Sequence, residues 1–278
     1  MYSNTLISII IPCYDDAKYI EQSVYSALNQ TYPNKEIIVV DDGSNIETKV
    51  ILRKLEPNIT KLITQENQGQ STARNVGIEA AQGDYILVLD SDDYFEPQFC
   101  ERAKVILTKY KEAKLVTCQA RLLYDNGLVD IHTPKGGMLA DFLINNCALN
   151  ASLFKKADWE QCGRYDQNMR QGFEDWEFFI RLLKNGGKAI VIPEPLYNYR
   201  KRKESMTTTA NRNKYILLKY IYLKHKVLYR ENFEKIITHL LEIAENNEKN
   251  ELKRLRSIDF IIGNFLLAPF RFGKKILK

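Results

Sequence analysis

The chain has 278 residues, 45% apolar and 27% charged, the proportions of an ordinary globular protein with one sizeable core and room for an appendage. Its five cysteines (Cys13, Cys100, Cys118, Cys147, Cys162) are scattered without a CxxC pair, which argues against a disulfide framework or a zinc site and for a reducing compartment. The net charge of +5 divides into −6 over residues 1–199 and +11 over 200–278, so a change of role is expected near residue 200.

The opening "MYSNTLISIIIPCYDD" has no basic start, its apolar run is too short for a signal peptide's core, and no stretch approaches the ~18 apolar residues of a membrane span. A cytoplasmic protein is expected. "LISIIIP" reads as a strand buried on both faces. Helical spacing follows, with Ile20, Val24, Ala27 and Leu28 recurring up to Asn29. "EIIVV" is the next strand and ends in "DDGS"; a helix is expected over Lys49 to Leu55, then a weak strand from Lys61 to Thr64. "STARNVGIEAAQG" predicts a helix with Ser71 as N-cap and Gly83 just past its end. A strand runs from Tyr85 to Leu89, a helix from Pro97 to Tyr110, and "LVTCQARLLY" is strand again. A further helix is expected from Phe173 to Asn185, then the strand "VIPEPLYNYR", then basic helices. This alternation implies an α/β fold with a mostly parallel central sheet and helices on both faces, in which ligands sit beyond the carboxyl ends of the strands.

"PCYDD", "DDGS" and "DSDD" all fall at those ends. In "YILVLDSDDYF", Asp90, Asp92 and Asp93 crowd negative charge after a hydrophobic strand, and a divalent cation bridging them to a phosphorylated ligand would relieve the repulsion. Solvated acids before the helix opened by Pro97 are the plain alternative, and Asp90 as a phosphatase-type nucleophile is another. Asp41 or Asp42 could accept a hydrogen bond from a nucleobase or simply end a strand. Arg74 could meet phosphate or pair with a carboxylate. If a helix begins near Glu174, then Asp175, Phe178, Phe179 and Leu182 share one face, and partial burial of Asp175 would bring its pKa toward useful base strength.

Taken together, "SIIIPCYDDAKYIEQSVYSALNQTYPNKEIIVVDDGS", "NQGQSTARNVGIEAAQGDYILVLDSDD" and "GRYDQNMRQGFEDWEFFIRLLKNGG" resemble the family 2 glycosyltransferases of the GT-A fold, strongly over residues 5–125. The resemblance implies a catalytic domain over 1–205, with a nucleotide-sugar and metal half (1–125) and an acceptor half (126–205), followed by a basic helical extension over 206–278. It implies that Pro12, Cys13, Tyr14, Asp42, Gly69, Arg74 and Asp92 hold the nucleotide sugar, that Asp93 and Asp92 bind Mn²⁺ or Mg²⁺, and that Asp175 is the catalytic base. Glu174 and Trp176 are expected on the acceptor side, and Arg200 or Lys203 on the diphosphate. The implied reaction is metal-dependent, inverting transfer of one sugar, UDP-linked by expectation, to a glycan or lipid-linked acceptor. A nucleotidyl- or phosphate-transferring enzyme using the same acids, or a non-catalytic nucleotide-sugar binding module, is the competing reading.

The terminal "DFIIGNFLLAPFRFGKKILK" interleaves aromatics with basic residues, which suits peripheral contact of 260–278 with an anionic membrane. No nucleic-acid-reading module is recognisable, so nucleic acid is not an expected partner. The sequence leaves the oligomeric state open.

Overall fold

The computed structural model describes residues 5–202, 205–257, 260 and 262. Lys203 and most of 260–278, the stretches expected to contact diphosphate and membrane, lie outside the described residues. The chain divides into two compact units, residues 1–228 and 229–278.

The first unit is built on one mixed sheet. β1 (Ile7–Cys13), β2 (Lys35–Asp41), β3 (Lys61–Thr64) and β4 (Tyr85–Val88) are mutually parallel in the order β3-β2-β1-β4. Every residue of β1 is buried, as suits a strand covered on both faces, and its one polar side chain, Ser8, donates to Glu36 Oε1 at 2.5 Å. Beyond β4 the sheet changes character. β5 (Tyr94–Phe95), β6 (Ala113–Tyr124), β7 (Val129–His132), β8 (Leu153–Lys155) and β9 (Lys188–Lys201) complete it, with β8 antiparallel to both β4 and β6, and β9 parallel to β6.

Helices cover both faces. On one, α1 (Ile20–Leu28), α2 (Ile46–Leu55) and α4 (Phe99–Lys109) bury Val24, Leu52, Phe99 and Ala103 against Ile7, Ile9 and Ile11. On the other lies α3 (Gln70–Ala80), where a Cβ on Gly77 would stand 2.4 Å from Ile10 Cγ2; the glycine lets helix and sheet approach closely. After the short α5 (Leu139–Phe142), α6 (Lys156–Cys162) and α7 (Glu174–Leu183) extend that layer. Trp159 Nε1 donates to Asn75 Oδ1 at 3.3 Å, and Phe178 stacks on Tyr165 at 4.2 Å between ring centroids. Next come α8 (Met206–Arg212), α9 (Lys214–Lys224) and α10 (Lys226–Glu231). The second unit is dominated by α11 (Phe233–Leu255), which has no buried residue.

Several boundary expectations change: α2 begins at Ile46, three residues before Lys49, with Asn45 as its cap. The N-cap of α3 is Gly69 at φ 90°, and Ser71 sits inside the helix. The left-handed backbone there suits glycine and not serine, because Gly69 N–H must turn back to bond Asp42. Gly83 is not a helix terminator: α3 ends at Ala80, and a Cβ on Gly83 would stand 2.5 Å from Ser8 Oγ, so this glycine serves close contact. Pro97 stands two residues before α4, which begins at Phe99.

Candidate active site

The carboxyl ends of β1 and β2 lie side by side, with Cys13 paired to Asp41 and β3's Thr64 on Asp41's other flank. This register gathers the "PCYDD", "DDGS" and "DSDD" loops at one edge. Cys13 carbonyl accepts the Asp42 N–H at 2.9 Å. Asp41 accepts the Ser44 N–H at 2.9 Å, closing the turn that its Asp-Gly-Ser sequence favours. Asp42 Oδ1 accepts from Gln65 Nε2 at 2.7 Å and Gln68 N at 2.8 Å, and Oδ2 from Gly69 N at 2.9 Å. Asp42 is thus the residue that shapes the loop leading into α3. Tyr14 is half exposed at this edge, whereas Cys13 is buried and its thiol is pushed up to about 12 by burial and by the charge of Asp16.

The three acids after β4 have separate environments. Asp90 accepts from Arg74 Nη2 at 2.9 Å, Gln70 Nε2 at 2.9 Å and Asn150 Nδ2 at 3.1 Å. Asp93 is fully buried and accepts from Tyr197 Oη at 2.5 Å and Arg200 N at 2.7 Å, both delivered by β9. Burial, then the charges of Asp92 and Asp90, hold its pKa well above the carboxylate range. Asp92 keeps an 18% exposed side chain, and its Oδ2 pairs with Arg202 Nη2 at 2.6 Å. Burial and the Asp90 charge push Asp92 up to about 6, against the pull of Arg202. Arg202 Nη1 also reaches Asp16 Oδ1 at 2.9 Å, so one guanidinium bridges two carboxylates. Arg200 donates through its side chain to the Asp92 carbonyl and to Gln22 Oε1, and stacks over Tyr19 at 4.7 Å.

Arg74 joins this cluster to α7. It is 1% exposed and pairs with Asp90 at 2.9 Å and Glu174 Oε1 at 2.6 Å. Its place is among the acids, and its Nη atoms do not face an open phosphate site. Glu174 is correspondingly buried as its partner and not presented to an acceptor. Asp175, the next residue, is partly exposed; it accepts from Asn146 Nδ2 at 2.9 Å and from the Trp176 N–H at 2.7 Å. Burial, reinforced by the Glu174 charge, pushes Asp175 up to about 6, the range of a carboxylate that can act as base near neutrality. Trp176 is 6% exposed, and its Nε1 donates to the Phe142 carbonyl at 2.5 Å, so it is a packing residue and not a surface for stacking a sugar.

Among the described residues no group of three His, Cys, Asp or Glu side chains forms a ready-made metal cage. The donor set does fit a hard divalent cation of the kind that takes one or two carboxylates and keeps waters for phosphate oxygens to replace. Asp92 suits that role better than Asp93: it is partly open and already holds a cationic group, while both oxygens of Asp93 are engaged inside the chain. Asp16, Asn146, Asn150, Tyr197 and Arg202 belong to the site and were not anticipated. Asp16 carried a signal in the "PCYDD" loop and Arg202 in the basic run that begins at Arg200; Asn146, Asn150 and Tyr197 lack one because their partners lie far away in sequence.

The pattern described as Glycosyl transferase family 2 matches residues 8–158. The putative teichuronic acid biosynthesis glycosyltransferase TuaG of Bacillus subtilis (strain 168) is 31% identical over 252 residues, which is 89% of this chain and 98% of that protein. Glycosyltransferase GlyG of Streptococcus pneumoniae serotype 4 is 30% identical over 224 residues, 73% of each chain. Among solved structures, S. aureus TarS 1-349 in complex with UDP-GlcNAc superposes with a TM-score of 0.62 at 21% identity, over 73% of this chain and 61% of that one. That likeness establishes the GT-A architecture.

Proposed function

This chain belongs to glycosyl transferase family 2 and is a glycosyltransferase, and from that premise we propose that it moves one sugar from a UDP-linked donor to an acceptor hydroxyl, inverting the anomeric carbon. The observation that carries this reading is the connected cluster Asp90–Arg74–Glu174, which ties the acids at the end of β4 to the residue beside Asp175. Donor-side charge and a carboxylate of base strength thereby belong to one rigid arrangement.

Asp175 takes the proton from the acceptor hydroxyl as that oxygen attacks the sugar carbon from the face opposite the nucleotide. Asn146 orients the Asp175 carboxylate, and the loop held by Asp42 shapes the donor's seat. Mn²⁺ or Mg²⁺, held chiefly by Asp92, would supply positive charge to the departing diphosphate. Arg200, near the end of β9, and Arg202, just after it, are the chain's own cations at that place. The choice of UDP rests on the TarS complex, and a polysaccharide acceptor on the relative described as a putative teichuronic acid biosynthesis glycosyltransferase; we place that glycan on a lipid carrier. No helix among the described residues is long and apolar enough to cross a membrane.

Calorimetric titration of UDP, GDP, dTDP and CDP, each with Mn²⁺ and again with EDTA, tests the proposal. Binding of UDP that is lost in EDTA is the expected result. Tight binding of another nucleotide would move the donor assignment, and no binding of any would remove the donor site from this edge of the sheet.

A further inference from the structure

α9, with the sequence KYILLKYIYLK, is apolar around most of its circumference. Its inner side is fixed: Leu217 is 7% exposed and Ile221 fully buried, Lys224 Nζ pairs with Glu177 at 2.8 Å, and Tyr220 Oη donates to Asp166 at 2.8 Å. A helix apolar on all sides is ordinarily buried on all sides. Here the outer side is open, with Tyr215 83%, Ile216 70% and Leu223 62% exposed. These three side chains project from one arc of the helix, together with Lys219. From Ser205 to Arg230 the sequence holds six Lys or Arg and no Asp or Glu.

We infer that this outer face of α9 is an interfacial surface that rests on an anionic lipid bilayer. Tyr215, Ile216 and Leu223 enter the boundary between headgroups and acyl chains, while Arg212, Lys214 and Lys219 meet the negative headgroups. Charge selects this occupant over a second copy of the chain. A two-fold dimer through the same patch would set Arg212, Lys214 and Lys219 against their own equivalents, like charge on like. An anionic surface offers the opposite sign over the whole face. The patch is distinct from residues 260–278, and it deepens the lipid-linked acceptor part of the proposed function without depending on the donor assignment.

The test is co-sedimentation of the full chain with vesicles of phosphatidylglycerol and phosphatidylcholine in equal parts, and with phosphatidylcholine alone. The wild type is expected to partition at least about tenfold more strongly onto the anionic vesicles. The triple variant Tyr215→Ser/Ile216→Ser/Leu223→Ser is expected to lose at least about tenfold of that partitioning, and Lys214→Gln/Lys219→Gln to lose the preference for anionic lipid. Unchanged thermal unfolding of the variants shows that the fold is kept. Wild-type partitioning by the triple variant overturns the inference. So does a wild-type dimer, seen by light scattering, that the triple variant dissolves. UDP titration of the same proteins reads the donor site separately, so a failed donor assignment and a failed lipid surface give different results.

Discussion

At the scale of single residues, two carboxylates decide the chemistry by the company they keep. Asp175 lies at about 6 because burial and then Glu174 disfavour its charge, with Arg74 and Asn146 pulling the other way. A base must be ionised to work, so kcat/KM is expected to rise with pH through about 6 and then level. Glu174→Gln removes a negative neighbour and should carry that limb to lower pH; a limb that stays in place would show that another group sets it. Asp175→Asn should lower kcat by about 10²–10⁴-fold while donor binding measured by calorimetry is kept. Arg74 is the second kind of case. Its removal leaves Asp90 and Glu174 facing each other without the shared cation, and Arg74→Met is expected to cost about 3–5 kcal/mol in urea unfolding. The sequence allowed Arg74 to meet a phosphate or a carboxylate. It could not choose, since the partners lie 16 and 100 residues away along the chain.

Elements were legible in proportion to how local their causes are. β1 and β2 announce themselves by the apolar stretches Ile9 to Ile11 and Ile37 to Val40, and α7 by helical spacing followed by Gly186 and Gly187. β8, only three residues long, has no pattern of its own and exists because the edges of β4 and β6 bond it from both sides. The misplaced start of α3 has a similar origin, as Gly69 caps it through a bond to Asp42, 27 positions earlier. The most consequential unannounced link joins α7 to α9. Glu177 is fully buried and accepts from Arg181 at 2.8 Å and His225 at 2.9 Å, with Lys224 at 2.8 Å. Although burial alone would raise its pKa, the bonds from His225 and Arg181 hold it well below the carboxylate range. Glu177→Ala would take this acceptor from Arg181 and His225 and leave Lys224 with Asp166 alone. It is expected to destabilise the protein by at least about 3 kcal/mol and to expose α9 to limited proteolysis before the rest unfolds. Simultaneous loss of all the structure would instead mean that α9 and the sheet unfold as one unit.

For the whole molecule, the acid cluster sets a conflict between stability and function that pH should reveal. Asp92 and Asp93 both have folded-state pKa values above those of the unfolded chain, Asp92 from burial and the Asp90 charge, Asp93 from burial and the charges of Asp92 and Asp90. The folded protein therefore binds more protons than the unfolded one, and the stability linked to these groups is fully present below the ordinary carboxylate range near 4. It is lost as pH rises through their folded values. For Asp92, displaced to about 6, the loss is roughly 3 kcal/mol by pH 7. Arg202 relieves part of the repulsion by bridging Asp92 and Asp16, which explains how such a cluster persists at all. A divalent cation on Asp92 would take over from the proton, so its effect on folding should depend on pH in a definite direction. Added Mn²⁺ is expected to raise Tm clearly at pH 7.5 and little at pH 5, where protons already occupy the acids. Asp92→Asn should raise the metal-free Tm at pH 7.5 and abolish the Mn²⁺ effect together. An equal Mn²⁺ response at both pH values, or one that survives Asp92→Asn, would place the cation elsewhere; the two changes appearing together would tie the strained acids of the bare protein to the site its donor needs.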